Sequence, residues 1–411
     1  MGSLGAGSAR ARLDPSFGQN GVVAVEPPLP SPWQSQGVQE LAAARDGSSY
    51  ALFRRLRCGG GPCVYSDVVV RYGPEGALDS TFGGGGSYEL PQEGASAETL
   101  SVDRQGRPLL AETSEGSIVV RRLTSFGAPD PSFASGGAVT LGCDCQLWDT
   151  RIVPGPRGGV TVVAPLKEHP HPAPEVELFR LAEDGALDAR FGPGGSVEVP
   201  LPGYDPRPFL AEGARGALYL GGTSCCGHTA RSYLVRVSIR GGYDGRFAAA
   251  TRRSLRVLEG PHGSFATVHA VVARPDGGID LLGRANRESG FVLRLDSNGH
   301  RNRKLGRKGL LVLPSRVSSA TLGSEGSILA VTEGDKGGWG TMTRILAGGR
   351  LDPSLTRARI PGSQGDLGFS IASQAGRKAL VMDLGEHICR GLCQGAPELV
   401  RFLEGPPPKR R

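Results

Sequence analysis

Short apolar runs separated by glycine turns recur along the whole chain. LAAARDGSSYALF (residues 41–53) and AVVARPDGGIDLLG (residues 270–283) each place two apolar stretches around a tight turn, the pattern of a β-hairpin. Seven such turns are present, and each is followed by a variable loop, a third run that ends in Arg, a glycine turn and a fourth run. Four short antiparallel strands in each unit of roughly 50–65 residues predict the blades of a β-propeller.

A polar frame repeats in register with these runs. Six times an Arg precedes an Asp or Asn by eight residues, with a Gly five residues after the Arg and a Phe or Leu three residues after the acid. The six pairs are Arg71 and Asp79, Arg122 and Asp130, Arg180 and Asp188, Arg236 and Asp244, Arg294 and Asn302, and Arg344 and Asp352.

The two chain ends supply a seventh frame. Asp14 begins the second half of a frame with no third strand before it, and Arg401 ends a third strand with no fourth strand after it. Joined, they predict that residues 20–25 close the last blade and remove the open edges of the sheet. The expected fold is therefore an all-β, seven-bladed propeller of four-stranded antiparallel blades.

The frame resembles that of the delta-60 repeat β-propeller family, whose consensus reads RYNPDGSLDTSFGTGGVV. RYGPEGALDSTFGGGG (residues 71–86) is the closest copy in this chain. Asn302 and Leu305 depart from the family's Asp and Phe, and Thr251 and Arg359 stand where other frames have a later Gly. The resemblance implies a propeller scaffold and no defined reaction.

The chain length alone suggests two or three domains, but the repeats indicate a single domain. We expect a single propeller domain over residues 11–404, with flexible termini at 1–10 and 405–411. The expected blades are 38–90, 98–141, 150–200, 207–258, 266–314, 317–360, and 367–403 closed by 20–25.

Composition supports this fold and limits the compartment. The 64 Gly and 31 Pro exclude a long helical bundle, and the glycines lack the three-residue period of collagen. No apolar run is long enough for a transmembrane helix, and residues 1–18 lack the apolar core of a signal peptide. We expect a cytosolic protein, or an exported one whose signal is missing from the sequence.

The repeated Arg and Asp residues are expected to be structural. One active site does not need seven equivalent pairs, whereas a guanidinium at the end of a strand can bind a carboxylate or the carbonyls of a turn. The Phe or Leu that follows each acid is expected to anchor its loop in the gap between two blades.

The unusual residues segregate to one face. We call the side with the a–b and c–d turns the turn face, and the side with the b–c and d–a loops the loop face. The loop face is predicted to carry every Cys and Trp and most His residues, and loops on a rigid scaffold often carry function. These residues are Cys58, Cys63, Cys143, Cys145, Cys225, Cys226, Cys389, Cys393, Trp33, Trp148, Trp339, His169, His171, His228, His262 and His387.

Four close cysteine pairs suit disulfides in an oxidising compartment. Cys225 and Cys226 are adjacent and CDC (residues 143–145) would close a very small ring, so bridges between loops stay open for these two pairs. One alternative is a zinc site made of thiolates and His228 or His387, although no zinc-binding spacing motif is present. The other alternative is that the thiols are free.

The aromatic and polar candidates each have two interpretations. The three Trp residues either pack within loops or stack on a ligand. Glu98 and His269 occupy equivalent places near the start of a first strand, close to the expected channel mouth, where they either bind a ligand or are satisfied structural groups.

Our leading functional hypothesis is a non-enzymatic, exported, monomeric scaffold whose loop face binds a protein or polysaccharide. Residues 231–316 hold 17 basic and 6 acidic residues, and this basic sector could contact an anionic polymer. No cofactor, metal or specific nucleic acid is expected. The alternative is a metal-dependent propeller hydrolase or lyase with its site at the channel mouth. An intracellular scaffold with reduced cysteines is a third reading.

Overall fold

The computed structural model describes most of the chain. The described residues are 13–25, 35–59, 61, 63–91, 96–114, 116–145, 150–155, 158–167, 175–201, 208–213, 216–224, 231–259, 266–286, 288–333, 339–356, 358–364, 369–374, 376–383 and 398–404. The expected flexible termini at 1–10 and 405–411 lie outside these ranges.

The described strands form seven antiparallel sheets, six of them built from consecutive strands and the seventh from the last three strands and the N-terminal strand. The first blade comprises β2 (Ser35–Ala43), β3 (Ser49–Arg57), β4 (Val64–Tyr72) and β5 (Ser87–Glu89). The second comprises β6 (Ser96–Val102), β7 (Pro108–Ser114), β8 (Ser117–Arg122) and β9 (Ala138–Gly142). The third comprises β10 (Arg151–Pro154), β11 (Val160–Pro165), β12 (Glu175–Leu181) and β13 (Ser196–Pro200). The fourth comprises β14 (Phe209–Glu212), β15 (Leu218–Thr223), β16 (Ser232–Val237) and the helix α1 (Gly245–Leu255).

The remaining three blades are four-stranded. The fifth comprises β17 (Thr267–Ala273), β18 (Ile279–Arg284), β19 (Gly290–Leu295) and β20 (Leu310–Leu313). The sixth comprises β21 (Val317–Leu322), β22 (Ile328–Thr332), β23 (Trp339–Ile345) and β24 (Ala358–Gln364). The seventh comprises β25 (Phe369–Gln374), β26 (Lys378–Asp383), β27 (Glu398–Leu403) and β1 (Val22–Ala24). Single 3-10 turns lie at Pro193–Gly195, Arg256–Leu258, Ser324–Gly326 and Pro353–Leu355.

The first strand of every blade faces a central channel. The channel is lined by residues of β2, β6, β10, β14, β17, β21 and β25, and neighbouring first strands contact one another around the ring. This arrangement confirms the seven-bladed β-propeller expected from the repeats.

The N-terminal strand closes the ring as expected. β1 pairs antiparallel with β27, with Val22 opposite Val400 and Ala24 opposite Glu398. The backbone of Asp14 then donates to the carbonyl of Arg401 at 2.9 Å, which extends the pairing beyond the strand. Closure thus supplies the last blade with its fourth strand.

The fourth blade has a helix where a fourth strand was expected. In the closest copy of the frame, Gly86 has a φ of 103°, a left-handed backbone that turns the chain back towards the sheet. Thr251 occupies that place in the fourth blade and lies inside α1, where its hydroxyl donates to the carbonyl of Leu234 at 2.7 Å. The carboxylate of Asp244 caps the helix by accepting from the amide of Phe247. The sixth blade has Arg359 at this place and still forms β24, so the helix goes with the Asp244 cap and the Thr251 hydrogen bond and not with loss of the glycine alone.

The hydrophobic core consists of seven clusters that each join two adjacent blades. Each cluster contains the large apolar residue that follows the frame's acid, which confirms the expected anchoring role. A fully buried Phe or Leu of this kind stabilises a fold by about 1.5–3 kcal/mol. The seven anchors, all at most 2% exposed, are Phe17, Phe82, Phe133, Phe191, Phe247, Leu305 and Leu355.

Candidate functional site

The repeated arginines of the turn face bind the acids of their own frames in five blades. The geometry is that of a charge-assisted hydrogen bond or close ion pair, and several of the partners are buried. The pairs are Arg71 and Asp79 at 2.7 Å, Arg122 and Asp130 at 2.7 Å, Arg236 and Asp244 at 2.6 Å, Arg344 and Asp352 at 3.4 Å, and Arg401 and Asp14 at 2.9 Å.

Six of the seven arginines also bind the next blade. The acceptor is always the carbonyl of the residue three positions after that blade's own repeated Arg, and we call this bond the inter-blade clamp. The clamps run from Arg71 to Ser125, Arg122 to Glu183, Arg236 to Ser297, Arg294 to Ala347, Arg344 to Glu404 and Arg401 to Pro74. The frame thus ties each turn to its own blade and to its neighbour, as a structural role requires.

The fifth blade uses a different acid. Arg294 binds Asp280 through two hydrogen bonds of 2.9 and 3.0 Å, and Asn302 takes no part in that pair. Asp280 lies directly opposite Arg294 on β18 and is fully buried. Burial raises the pKa of Asp280, and the Arg294 guanidinium opposes that rise. The loss of the carboxylate at 302 is thus compensated across the strand pair.

Sequence reasoning missed Asp280, although a signal was present. The residue opposite the repeated Arg is apolar or Tyr in five blades, and it is polar only in the third and fifth. Asp280 therefore stands out in the one blade whose frame lacks its acid.

The third blade breaks the pattern in another way. The expected pairing of Arg180 with Asp188 is not formed, because Arg180 Nη1 donates to Thr161 Oγ1 at 2.6 Å and Asp188 pairs with Arg190 at 2.8 Å. Thr161 lies opposite Arg180 on β11, so a polar side chain again attracts the guanidinium away from the turn. No inter-blade clamp joins the third and fourth blades among the described residues.

Two disulfides lie on the loop face. Cys58 and Cys63 are bonded within the loop between β3 and β4, and Cys143 and Cys145 are bonded just after β9. The CDC pair closes its own small ring and does not bridge to another loop. Cys225, Cys226, Cys389 and Cys393 lie outside the described residues.

Trp339 is the one candidate tryptophan that the structure describes. It begins β23 and is half-buried, and the guanidinium of Arg359 stacks on its ring at 3.2 Å. One face of this indole is therefore occupied from within the chain. Trp33, Trp148, His169, His171, His228, His262 and His387 lie outside the described ranges.

The mouth of the channel is shaped by β-bulges in the first strands. The strand register shifts at Gln39, Glu98, His269 and Ser318, which occupy the same place in four blades. A bulge re-aims the extra residue, and such irregularities recur next to binding sites. The equivalence of Glu98 and His269 expected from sequence holds for the backbone, and the Glu98 side chain lies outside the described part of the chain.

Glu40 and Arg151 give the channel its charged groups near the mouth. The channel encloses about 590 Å³ and its lining includes Thr99 and Ser319 at ring positions equivalent to Glu40 and Arg151. Burial raises the pKa of Glu40, whereas the positive charge of Arg151 and a hydrogen bond from the Leu100 amide oppose that rise. Among the described lining residues, a polar ligand would meet one cation, Arg151, and one anion, Glu40.

His269 is held as a neutral base in the same lining. Its Nε2 lies 3.0 Å from Thr267 Oγ1, and its ring stacks on Phe209 at 6.3 Å. Burial, followed by the positive charges of Arg284 and Arg316, lowers the pKa of His269 to about 4. Both arginines form ion pairs with Glu333, Arg284 at 2.7 Å and Arg316 at 2.8 Å, which hold their positive charges near the imidazole.

Within the described ranges no group of three His, Cys, Asp or Glu side chains is arranged to hold a metal ion. Within the same ranges no helix is long and apolar enough to cross a membrane.

The basic sector forms an exposed patch on α1 and the fifth blade. Ser254 of α1 donates to the carbonyl of Gly299 at 2.8 Å, which docks the helix against the turn between β19 and β20. The exposed cations of the helix, of the 3-10 turn that follows it and of this connection are together called the basic patch. It comprises the exposed residues Arg252, Arg253, Arg256, Arg301, Arg303, Lys304, Arg307 and Lys308.

Comparisons with known proteins show the fold and no family. No family model matches the chain, and no curated protein matches its sequence. One similar structure is the β-propeller domain of the Trilobed protease from Pyrococcus furiosus, described as having an open velcro topology. It is 8% identical, with a TM-score of 0.50, over 89% of this chain and 93% of that chain. Another is prolyl oligopeptidase B from Galerina marginata, 11% identical with a TM-score of 0.50 over 91% of this chain and 50% of that chain. At these identities the likeness shows that the chain folds as a β-propeller.

Proposed function

We propose that this protein is a non-enzymatic binding scaffold whose loop face holds a protein or polysaccharide. The observation that carries the proposal is the difference between its two faces. The turn face is tied by repeated arginine contacts in nearly every blade, whereas the loop face carries the disulfides, Trp339 and the charged channel mouth. A rigid ring that presents variable, stapled loops is an arrangement suited to recognition.

The proposal includes an extracytoplasmic location and kinship with the delta-60 repeat propellers. Two local disulfides support an oxidising compartment, because thiols stay reduced in the cytosol. The repeated frame with its buried anchors supports the kinship. The resemblance brings no reaction with it.

The basic patch favours an anionic polymer as a second candidate partner. Eight exposed cations on α1 and the fifth blade make an electropositive surface that would attract uronate- or sulfate-bearing chains. Binding of that kind weakens steeply with added salt.

A binding panel tests both candidates. Immobilised protein is exposed to neutral glycans, an acidic polysaccharide and a sulfated polysaccharide at about 50 and 200 mM NaCl, a range over which exposed charge–charge attraction falls. The double variant Arg252→Glu, Arg253→Glu should lose the salt-sensitive component, whereas Arg350→Glu on the sixth blade should keep it. Trp339→Ala and the double variant Cys58→Ser, Cys63→Ser should weaken only binding to the loop face.

The enzymatic alternative is decided by the same samples. If the protein turns over any glycan of the panel and the purified protein holds a stoichiometric metal, the protein is a metal-dependent hydrolase or lyase and the scaffold proposal is wrong. Absence of binding to the whole panel and to candidate protein partners would contradict the proposal.

A further inference from the structure

The junction of the third and fourth blades on the turn face contains a cavity of about 670 Å³. It opens where the inter-blade clamp is missing. By analogy with the other six clamps, the acceptor here would be the carbonyl of Ile239, and Ile239 lines the cavity. Its walls include Arg180, Leu181, Glu212, Gly216 and Ile239. We call it the junction cavity.

A buried guanidinium with spare donors lies in this cavity. Arg180 is only 5% exposed, and its Nη2 has no hydrogen-bond partner among the described residues. Its Nη1 binds Thr161, and Gly155 leaves room for it, since a Cβ at Gly155 would lie 2.5 Å from that nitrogen. A buried ionic donor without an acceptor is costly, so its persistence points to a missing anionic partner.

The charge around the junction cavity has the sign that an anion needs. Arg104, Arg190 and Arg240 line it with Arg180, and their side chains are exposed at its rim. Three acidic residues line it as well: Asp188 is bound by Arg190 at 2.8 Å, Glu183 lies 3.8 Å from Arg107, and Glu212 is the third. Glu212 makes no ion pair within 4 Å among the described residues, and burial raises its pKa while Arg180 and Arg104 oppose the rise. The charges of Glu212 and Asp188 reach Arg180, but neither carboxylate forms an ion pair with it within 4 Å.

We propose that the junction cavity binds a small organic anion whose carboxylate or phosphate oxygens accept hydrogen bonds from Arg180. The planar guanidinium matches the geometry of such oxyanions. Ile239, which is 46% exposed at the wall, offers an apolar surface to the rest of the molecule. The site lies on the turn face and is independent of the loop-face function proposed above.

Calorimetric titration with inorganic phosphate and with isovalerate tests the site, and the two probes distinguish phosphate from carboxylate ligands. Saturable binding of at least one probe is expected. Arg180→Gln should weaken it by at least tenfold, the effect of losing a charged hydrogen bond. Arg236→Gln changes the same repeat position one blade later and should leave the affinity unchanged. Arg190→Gln at the rim should weaken binding by about two- to threefold.

A surface variant keeps the test valid if Arg180→Gln does not fold. Ile239→Glu places a carboxylate on an exposed turn at the cavity wall and should abolish binding with an unchanged circular dichroism spectrum. The proposal is overturned if neither probe binds in the millimolar range. It is also overturned if folded Arg180→Gln or Ile239→Glu binds a probe as tightly as the wild type does.

Discussion

Arg401 binds Asp14 at 2.9 Å and thereby joins the two ends of the chain across the closure of the seventh blade. Lys378 lies 3.0 Å from the same carboxylate, and Arg401 also clamps the carbonyl of Pro74 in the first blade. One ion pair therefore links the last blade, the N-terminal segment and the first blade.

The ion pair at the closure should make stability depend on acid pH. Burial opposes ionisation, but hydrogen bonds from Ser16 and Lys378, together with the positive charge of Arg401, lower the pKa of Asp14 to about 2. A lowered carboxyl pKa adds stability that is complete above the unfolded value and disappears as the pH falls through about 2. Asp14→Asn should therefore cost about 2 kcal/mol in urea unfolding at pH 7. The difference from wild type should shrink below pH 4, and a constant difference across that range would contradict the assignment.

Substitution of two arginines at the same repeat position should change the stability of the protein by very different amounts. Arg122 is fully buried and binds Asp130, Ser132 and the carbonyl of Glu183. Arg122→Met should cost about 3 kcal/mol, because it removes one partner of a buried ion pair.

The matched change Arg180→Met should cost less than about 1 kcal/mol or stabilise the protein, since that guanidinium is buried with unused donors. Urea unfolding of both variants under the same conditions gives the comparison. Equal losses would show that Arg180 holds the blade junction as firmly as Arg122 does.

The fifth blade allows a rescue experiment. Asp280→Leu leaves Arg294 buried without its carboxylate and should destabilise the protein by about 3 kcal/mol. Adding Asn302→Asp recreates the frame of the second, sixth and seventh blades, where a Leu faces the repeated Arg.

The double variant Asp280→Leu, Asn302→Asp should recover half or more of the lost stability, measured as a double-mutant cycle by chemical unfolding. Asn302→Asp alone should not stabilise, because Arg294 already has a carboxylate. Additive effects of the two changes would rule out the compensation.

His269 should make the protein less stable in mild acid. Its pKa of about 4 lies below the usual value of 6.5, so the folded protein binds fewer protons than the unfolded chain between these values. Stability should fall as the pH drops from about 6.5 to about 4. His269→Gln should remove roughly 1–2 kcal/mol of this loss, allowing for the partial exposure of the ring to the channel. An unchanged slope of stability against pH would show that the imidazole is not the group responsible.

The disulfide of the first blade should stabilise its loop locally. The double variant Cys58→Ser, Cys63→Ser should cost about 2 kcal/mol at most, the value for closing a short loop. Thermal unfolding measures the cost, and intact mass before and after reduction counts the bridges. A protein purified under non-reducing conditions whose mass does not change on reduction would contradict both the disulfides and the proposed location.

The candidate sites were less predictable than the fold. The position of His269 at the channel could be read from its equivalence to Glu98, because both lie at the same distance from a hairpin turn. The junction cavity could not, because it depends on the rotamer of Arg180 and on Thr161, which lies opposite it across a strand pair. The helix α1 could not be predicted either, because Thr251 and Arg359 both replace the glycine and only the fourth blade forms a helix there.

The sequence by itself determined the number of blades, the closure by the N-terminal strand and the seven buried anchors. These follow from spacing, since each strand and turn is encoded within a few residues and the same local solution is used in every blade. Only the tertiary structure decided which repeated arginines pair with the acid of their own frame. Each guanidinium can bind a side chain on the opposite strand, the acid of its own turn or a carbonyl of the next blade. The partner on the next blade lies about 60 residues away in the chain, as with Arg122 and Glu183, and only packing brings the two together.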